Sequence, residues 1–475
     1  MWSSHIIASE FQGHFISLHP HHLRFVILNL CNFMTTMEVE IISRETIKPF
    51  TSTSPHNRTY NLSFLEQVNP RTYVPVVYFY PKEASETPDF LTGGDKSNQL
   101  KKSLSETLAK YYPFAGRIRD RVSIDCNDDG VTFVEARIKN IELSEILEHP
   151  KDEVLDLLFT DNLQWNDDSN INVLLAVQVS FFDCGGMAVG ICMSHKIADT
   201  STMINFINDW AAVARNNKKC DQYVPSPEFI SATVFPRCDL PLSPEAMIEK
   251  SNCVTKRFVF DATKIAALKA IVTEKLQNPT RVEAVTAFIH SRAISALRST
   301  SGSSSNPTTF IQTVNLRARM VPPLPQSSAG SMIWFFTVST AEDSVVELHD
   351  LVGQMKQRKT KFCDTYVRKF RAKDQWPSIF KECIQESRKP FSKGNLVIYR
   401  CSSWCRFPVY EADFGWGKPI WVTIASCAMK NAVFMIDTRD GEGIEAYVNL
   451  EKQELDVFER DAELLAFASL NPSVI

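Results

Sequence analysis

The chain has 475 residues, too many for one ordinary core; at roughly 150 residues per domain it divides into two or three. Its 44% hydrophobic and 22% charged residues are those of a folded globular protein and exclude extensive disorder. A net charge of −4 argues against a nucleic-acid partner, which demands a basic face.

Twelve cysteines are scattered without zinc spacing or a Cys-x-x-Cys pair. They read as small buried apolar residues of a reducing compartment, which places the chain in the cytoplasm. No stretch reaches the eighteen apolar residues that a membrane-spanning helix needs, so no membrane partner is expected.

Residues 1–36 hold five of the ten histidines and lack periodicity. They are read as an extension outside the fold, with Met37 as the functional start. From Met37 the text MEVEIISRETIKP is strand-like. Val74–Tyr80 is a β-branched and aromatic run that predicts a buried strand. Leu100, Leu104, Leu108 and Tyr111 share one helical face, closed by Pro113 and Gly116. Val173–Phe182 and Met187–Ser194 predict two strands joined by the turn Asp183-Cys-Gly-Gly. Met203, Phe206, Ile207, Trp210, Ala211 and Ala214 then recur with helical spacing. His195 therefore lies at a strand-to-helix turn, on the face of Met187, Val189, Ile191 and Met193.

Residues 216–246 gather Pro225, Pro227, Pro236, Pro241 and Pro244 and read as a crossover between domains of similar size, 37–215 and 247–475. Beyond it Ala262–Thr273 and Val282–Leu297 predict helices and Ser299–Ser305 a Ser/Gly loop. Phe310–Asn315, Met332–Ser339, Ile420–Ala425 and Ala432–Ile436 predict strands. The class is mixed α/β without regular βαβ alternation, which disfavours a doubly wound nucleotide fold.

The chain has no G-x-S-x-G elbow, H-E-x-x-H, P-loop or G-x-G-x-x-G after a strand, so the commonest hydrolases, metalloproteases and nucleotide binders are set aside. No metal site is expected. His195-Lys-Ile-Ala-Asp199 carries the best candidate for a general base, because imidazole titrates near neutral pH. Taken alone, His195 is more often a structural histidine, and Asp199 reads as the N-cap of the next helix. Asp413-Phe-Gly-Trp-Gly417 is a tight turn whose glycines permit special backbone angles; taken alone, it is a turn with a packed tryptophan.

Together these segments resemble the BAHD family of coenzyme A-dependent acyltransferases. Leu104-Ser-Glu-Thr-Leu108 with Tyr111-Tyr-Pro-Phe-Ala-Gly-Arg117 is similar to that family's early signature. Val314-Asn-Leu-Arg-Ala-Arg319 with Pro322-Pro-Leu-Pro325 is similar to its central one, and Ser403-Trp404 and Arg406 also fit. MEVEIISRETIKP and Asp440-Gly-Glu-Gly-Ile-Glu-Ala-Tyr447 look most like the vinorine synthase-like branch. One departure is Gly330-Ser331 where members often carry Gly-Asn; another is Ser402 in place of Thr.

The resemblance implies two mixed-sheet domains of the chloramphenicol acetyltransferase type with an active-site channel at their interface. It implies an acyl-CoA co-substrate, acetyl-CoA first, no permanently bound cofactor, and a small-molecule acceptor with a hydroxyl or, second, an amine. It places His195 and Asp413 at the catalytic site, with Ser402 and Trp404 as oxyanion donors and Gly415, Trp416 and Gly417 toward the co-substrate. Asp199 and Arg317 are structural supports. The aspartate of H-x-x-x-D points away from the channel and that of DFGWG pairs with an arginine, here assigned to Arg317. The expected protein is a monomeric enzyme; the competing class is a binding protein that keeps the channel without turnover.

Overall fold

The computed structural model describes residues 23–30, 33–82, 93–160, 162–166, 171–216, 226–237, 253–300, 306–341, 346–370, 376–388, 396–427 and 429–475. In chain order the first half contains strands β1 (Leu23–Leu30) and β2 (Phe33–Ile47), helix α1 (Phe64–Val68), β3 (Tyr73–Tyr80), α2 (Gly93–Lys110), β4 (Val131–Lys139), β5 (Leu175–Phe182), β6 (Met187–Ser194) and α3 (Thr200–Asn216). The second half adds β7 (Cys253–Phe260), α4 (Ala262–Thr273), α5 (Arg281–Thr300), β8 (Thr308–Asn315), β9 (Ile333–Thr340), α6 (Leu348–Thr365), α7 (Trp376–Arg388) and β10 (Val397–Ser403). It ends with β11 (Trp421–Thr423), β12 (Ala432–Asp437), β13 (Ile444–Glu451) and β14 (Ser469–Leu470).

Two seven-stranded mixed sheets organise the chain, in the orders β1-β2-β4-β5-β6-β3-β11 and β9-β8-β10-β12-β13-β7-β14. Both are mainly antiparallel; β4–β5, β8–β10 and β10–β12 run parallel. The two similar-sized mixed-sheet domains are those expected, and no described helix is long and apolar enough to cross a membrane.

Side-chain alternation sets the layers. Met187, Val189, Ile191 and Met193 of β6 face one core with α2 and α3, while Ala188 and Cys192 face another on the opposite side of the sheet. Leu100, Leu104, Leu108 and Tyr111 of α2 meet Met203, Phe206, Ile207, Trp210 and Ala214 of α3 in the first core. The Trp210 indole N–H donates to Leu100 O and Ser103 Oγ at 3.2 and 3.0 Å, so the buried ring is satisfied at its polar edge.

The halves are interlocked rather than juxtaposed. Residues Trp404, Val409, Ala412, Phe414, Trp416, Val422 and Ile424 pack in the first half's core. β11 pairs with β3, with Trp421 stacked on Phe79 at 5.3 Å. In return Phe64, Leu65 and Phe235 pack in the second half's core. The DFGWG segment thus lies on the first half's core, because its aromatic residues find their partners on β3 and α3.

β1 pairs with β2 over Leu23–Leu30 and β2 begins at Phe33, so part of the segment read as an extension forms an edge hairpin. Residues 1–22, the crossover stretches 217–225 and 238–252, and most of the Ser/Gly loop, 301–305, lie outside the described residues.

Candidate active site

His195 follows the last residue of β6. Its backbone N–H donates to Thr72 O at 2.8 Å, and Ile197 N–H donates to Ser194 O at 3.2 Å, so the turn is pinned on both sides before α3 begins. The imidazole opens on a cavity of about 230 Å³. Nδ1 meets Ser331 Oγ at 3.2 Å, and Asn69 Nδ2 donates to the same oxygen at 2.6 Å. Burial holds the ring's pKa below the ordinary histidine value; its own backbone carbonyl and Asp199 pull the other way, and Lys196 adds to the lowering.

Both halves of the chain build the cavity wall. β8 supplies Thr313, β9 supplies Trp334 and β10 supplies Ser402, while Trp165, Trp404 and Phe434 add aromatic rings to a largely apolar wall. Among the described residues the Ser402 hydroxyl has no hydrogen-bond partner, which leaves it free for a ligand.

Asp199 turns away from His195 into a buried ion pair. Its Oδ2 accepts from Arg317 Nη1 at 2.6 Å and from Met332 N at 2.9 Å. Its Oδ1 accepts from Arg317 Nη2 at 3.2 Å and from Thr202 N at 3.0 Å, the last being the N-cap bond of α3. Arg317, with a side chain 0% exposed, also donates to Ser328 O, Gly330 O and Thr202 Oγ1. The pair ties the start of α3 to the β8–β9 connection at the cavity's edge.

Arg317 is therefore not the partner of Asp413. Asp413 meets Arg215 at 3.3 Å in a half-exposed pair, because the DFGWG turn sits over the end of α3, where Arg215 lies. Asp413 Oδ1 accepts from Gly415 N and Gly417 N at 2.8 and 3.0 Å. Both glycines have positive φ, +111° and +94°, which a side chain would strain. Phe414 and Trp416 stack at 5.7 Å and meet the edge of Tyr80, whose hydroxyl donates to Ala412 O at 2.7 Å. None of Asp413, Gly415, Trp416 and Gly417 lines the cavity.

His195, Asp199, Ser402 and Trp404 are thus brought to one cavity, with Arg317 behind Asp199, and the DFGWG turn stands apart. Ser331 and Asn69, which hold the imidazole, were not singled out as site residues. The only signal at Ser331 was its departure from Gly-Asn; Asn69 carries none, being the residue that ends a five-residue helix.

The sequence and the fold have counterparts. Residues 37–465 match the model of the Transferase family. The chain belongs to that family, the BAHD acyltransferases. It is 41% identical to akuammiline synthase 1 of Alstonia scholaris over 90% of this chain and 97% of that protein. Its fold is similar to that of crystalline vinorine synthase, with a TM-score of 0.79 and 33% identity over 92% of this chain and 100% of the other. It also shares its fold with F. sporotrichioides TRI101 complexed with coenzyme A and T-2, at a TM-score of 0.66 and 17% identity over 87% and 99% of the two chains. The protein is an acyl-transferring enzyme whose relatives serve alkaloid and other specialised metabolism.

Proposed function

We propose that this BAHD enzyme moves an acyl group, acetyl first, from coenzyme A to a hydroxyl of a specialised metabolite such as an alkaloid, with an amine as the second choice of acceptor. The observation that carries this reading is the His195 imidazole, held from behind at Nδ1 and opening on a largely apolar cavity between the two sheets. A flat, largely apolar acceptor fits such walls, and the ring supplies the base that its hydroxyl needs.

The base cannot act alone. An alcohol pKa of roughly 16 against about 6.5 for imidazole makes full deprotonation uphill by roughly 13 kcal/mol. Proton removal therefore accompanies attack of the oxygen on the thioester carbonyl: the O–C bond forms as the proton passes to Nε2. The oxyanion of the tetrahedral intermediate accepts hydrogen bonds from the Ser402 hydroxyl and the Trp404 indole N–H. Collapse breaks the C–S bond, and the imidazolium returns its proton to the departing thiolate, whose pKa of about 8.5 makes it the better leaving group. No acyl-enzyme forms.

The test is release of free thiol from acetyl-CoA, with and without candidate acceptors. His195→Ala should fold like the parent and lose at least about 10²-fold in turnover, the lower range for positioned base catalysis. Because burial lowers the pKa of His195, the base stays neutral below the ordinary value. The acid limb of kcat/KM should then fall below pH ~6.5. Near-parental turnover in folded His195→Ala, or acceptor-independent thiol release, would remove the proposal.

A further inference from the structure

We propose that Ser331, braced by Asn69, is a positioning residue that fixes the orientation of the His195 ring. The inference rests on His195 being the base.

A neutral imidazole carries one proton, and only the nitrogen without it can act as base. Nδ1 lies 3.2 Å from Ser331 Oγ. A hydroxyl can donate or accept, so this contact holds the ring whichever way the proton lies. With Nδ1 engaged by Ser331, Nε2 is the nitrogen left for the reaction, and the described residues offer it no partner.

The brace behind this contact is built. Asn69 Nδ2 donates to Ser331 Oγ at 2.6 Å. Ser331 is fully buried, and its backbone N–H donates to Glu66 Oε1 at 3.3 Å. Glu66 is held in turn by Tyr60 OH at 2.8 Å and Ser63 N at 2.7 Å. Lys196, next to the base, is drawn away: its Nζ donates to the carbonyls of Glu66 and Gln67. Helix α1 and its C-terminal Asn69 therefore form a platform whose polar contacts converge on one side of the ring. The ionisable groups around His195 are Asp199 and Lys196 on its own turn and Glu66 on α1; Asp199 is itself engaged by Arg317.

The experiment compares Ser331→Ala, Ser331→Cys and Asn69→Ala with the parent. Ser331→Ala should lower kcat about tenfold to a hundredfold, the scale of loss when a reacting group is misplaced by an ångström or less, with KM within about twofold since the residue does not touch substrate. The acid limb of kcat/KM should move to lower pH, because the lost acceptor had favoured the imidazolium. Ser331→Cys, close in shape and a weaker acceptor, should fall between, and Asn69→Ala should reproduce the defect in part. Ring ¹⁵N shifts of His195, read without substrate, should differ between the parent and Ser331→Ala, because Nδ1 loses its partner. Unchanged ring shifts together with unchanged kcat and acid limb would overturn the proposal. So would equal losses in Ala and Cys variants that both retain the parental ¹⁵N pattern. An inactive parent with the expected ring shifts would remove the acyl-transfer reading and leave the positioning intact.

Discussion

Replacing Asp199 by alanine isolates the buried ion pair. In the native chain its carboxylate accepts from Arg317 Nη1 and Nη2, Met332 N and Thr202 N. Removing it strands a guanidinium on a side chain with 0% exposure. Breaking a buried pair from one side costs about 3–5 kcal/mol. The N–H groups of Met332 and Thr202 lose their acceptor as well, at roughly 1–3 kcal/mol for each that stays buried, which places Asp199→Ala at the upper end. Arg317→Met leaves the carboxylate its two backbone donors and should cost less. The double variant removes both charges and should fall short of the sum of the singles by about 1–3 kcal/mol. Urea unfolding followed by tryptophan fluorescence measures stability, and thiol release measures turnover on the same samples. Additivity within about 0.5 kcal/mol, or an Asp199→Ala protein as stable as the parent yet inactive, would refute the structural role.

Asp413→Ala should lose more stability than Arg215→Ala, since it removes two backbone hydrogen bonds worth about 0.5–1.5 kcal/mol each, whereas the half-exposed pair contributes under about 1 kcal/mol; equal losses in a thermal melt would count against this. His290 is buried with no partner on either ring nitrogen among the described residues, and burial lowers its pKa to about 3. The unfolded chain therefore binds the extra proton between pH ~6.5 and ~3, and stability falls as pH drops through that window, by up to about 1.4 kcal/mol per pH unit. His290→Phe should flatten this slope in urea titrations at pH 6 and 4.5; an unchanged slope would show that other groups set it. A chain starting at Met37 should keep its turnover, because the segment that matches the family begins at residue 37; a clear loss would give the edge hairpin a role in the site.

Much of the fold was legible because local pattern and burial coincide. Met187–Ser194 and Ala262–Thr273 appear with the expected bounds, and the α2 and α3 faces pack as their periodicity requires. Strands such as Val131–Lys139 and Cys253–Phe260 went unread because charged residues interrupt their apolar pattern. At the site, His195 could be singled out since strand end, turn and titratable side chain lie together in sequence. The ion-pair partners could not. Arg317 is 118 positions from Asp199 and Arg215 is 198 from Asp413; spacing cannot tell which arginine the folded chain delivers to which carboxylate. Ser331 and Asn69 were hidden for the same reason, 262 positions apart yet sharing one hydrogen bond.

The exchange of β11 for Phe64 and Leu65 bears on how this protein is made. During synthesis the first sheet lacks its edge strand, and α2 and α3 lack their aromatic cover, until residues 404–424 have left the ribosome. With elongation at about 5–20 residues per second, the first half waits on the order of ten seconds or more for its missing parts after α3 emerges. Neither half is a unit that could be cut out and produced separately with its core closed. The long sequence separation of these contacts predicts slow, late consolidation, and a chaperone should find its substrate in the nascent first half.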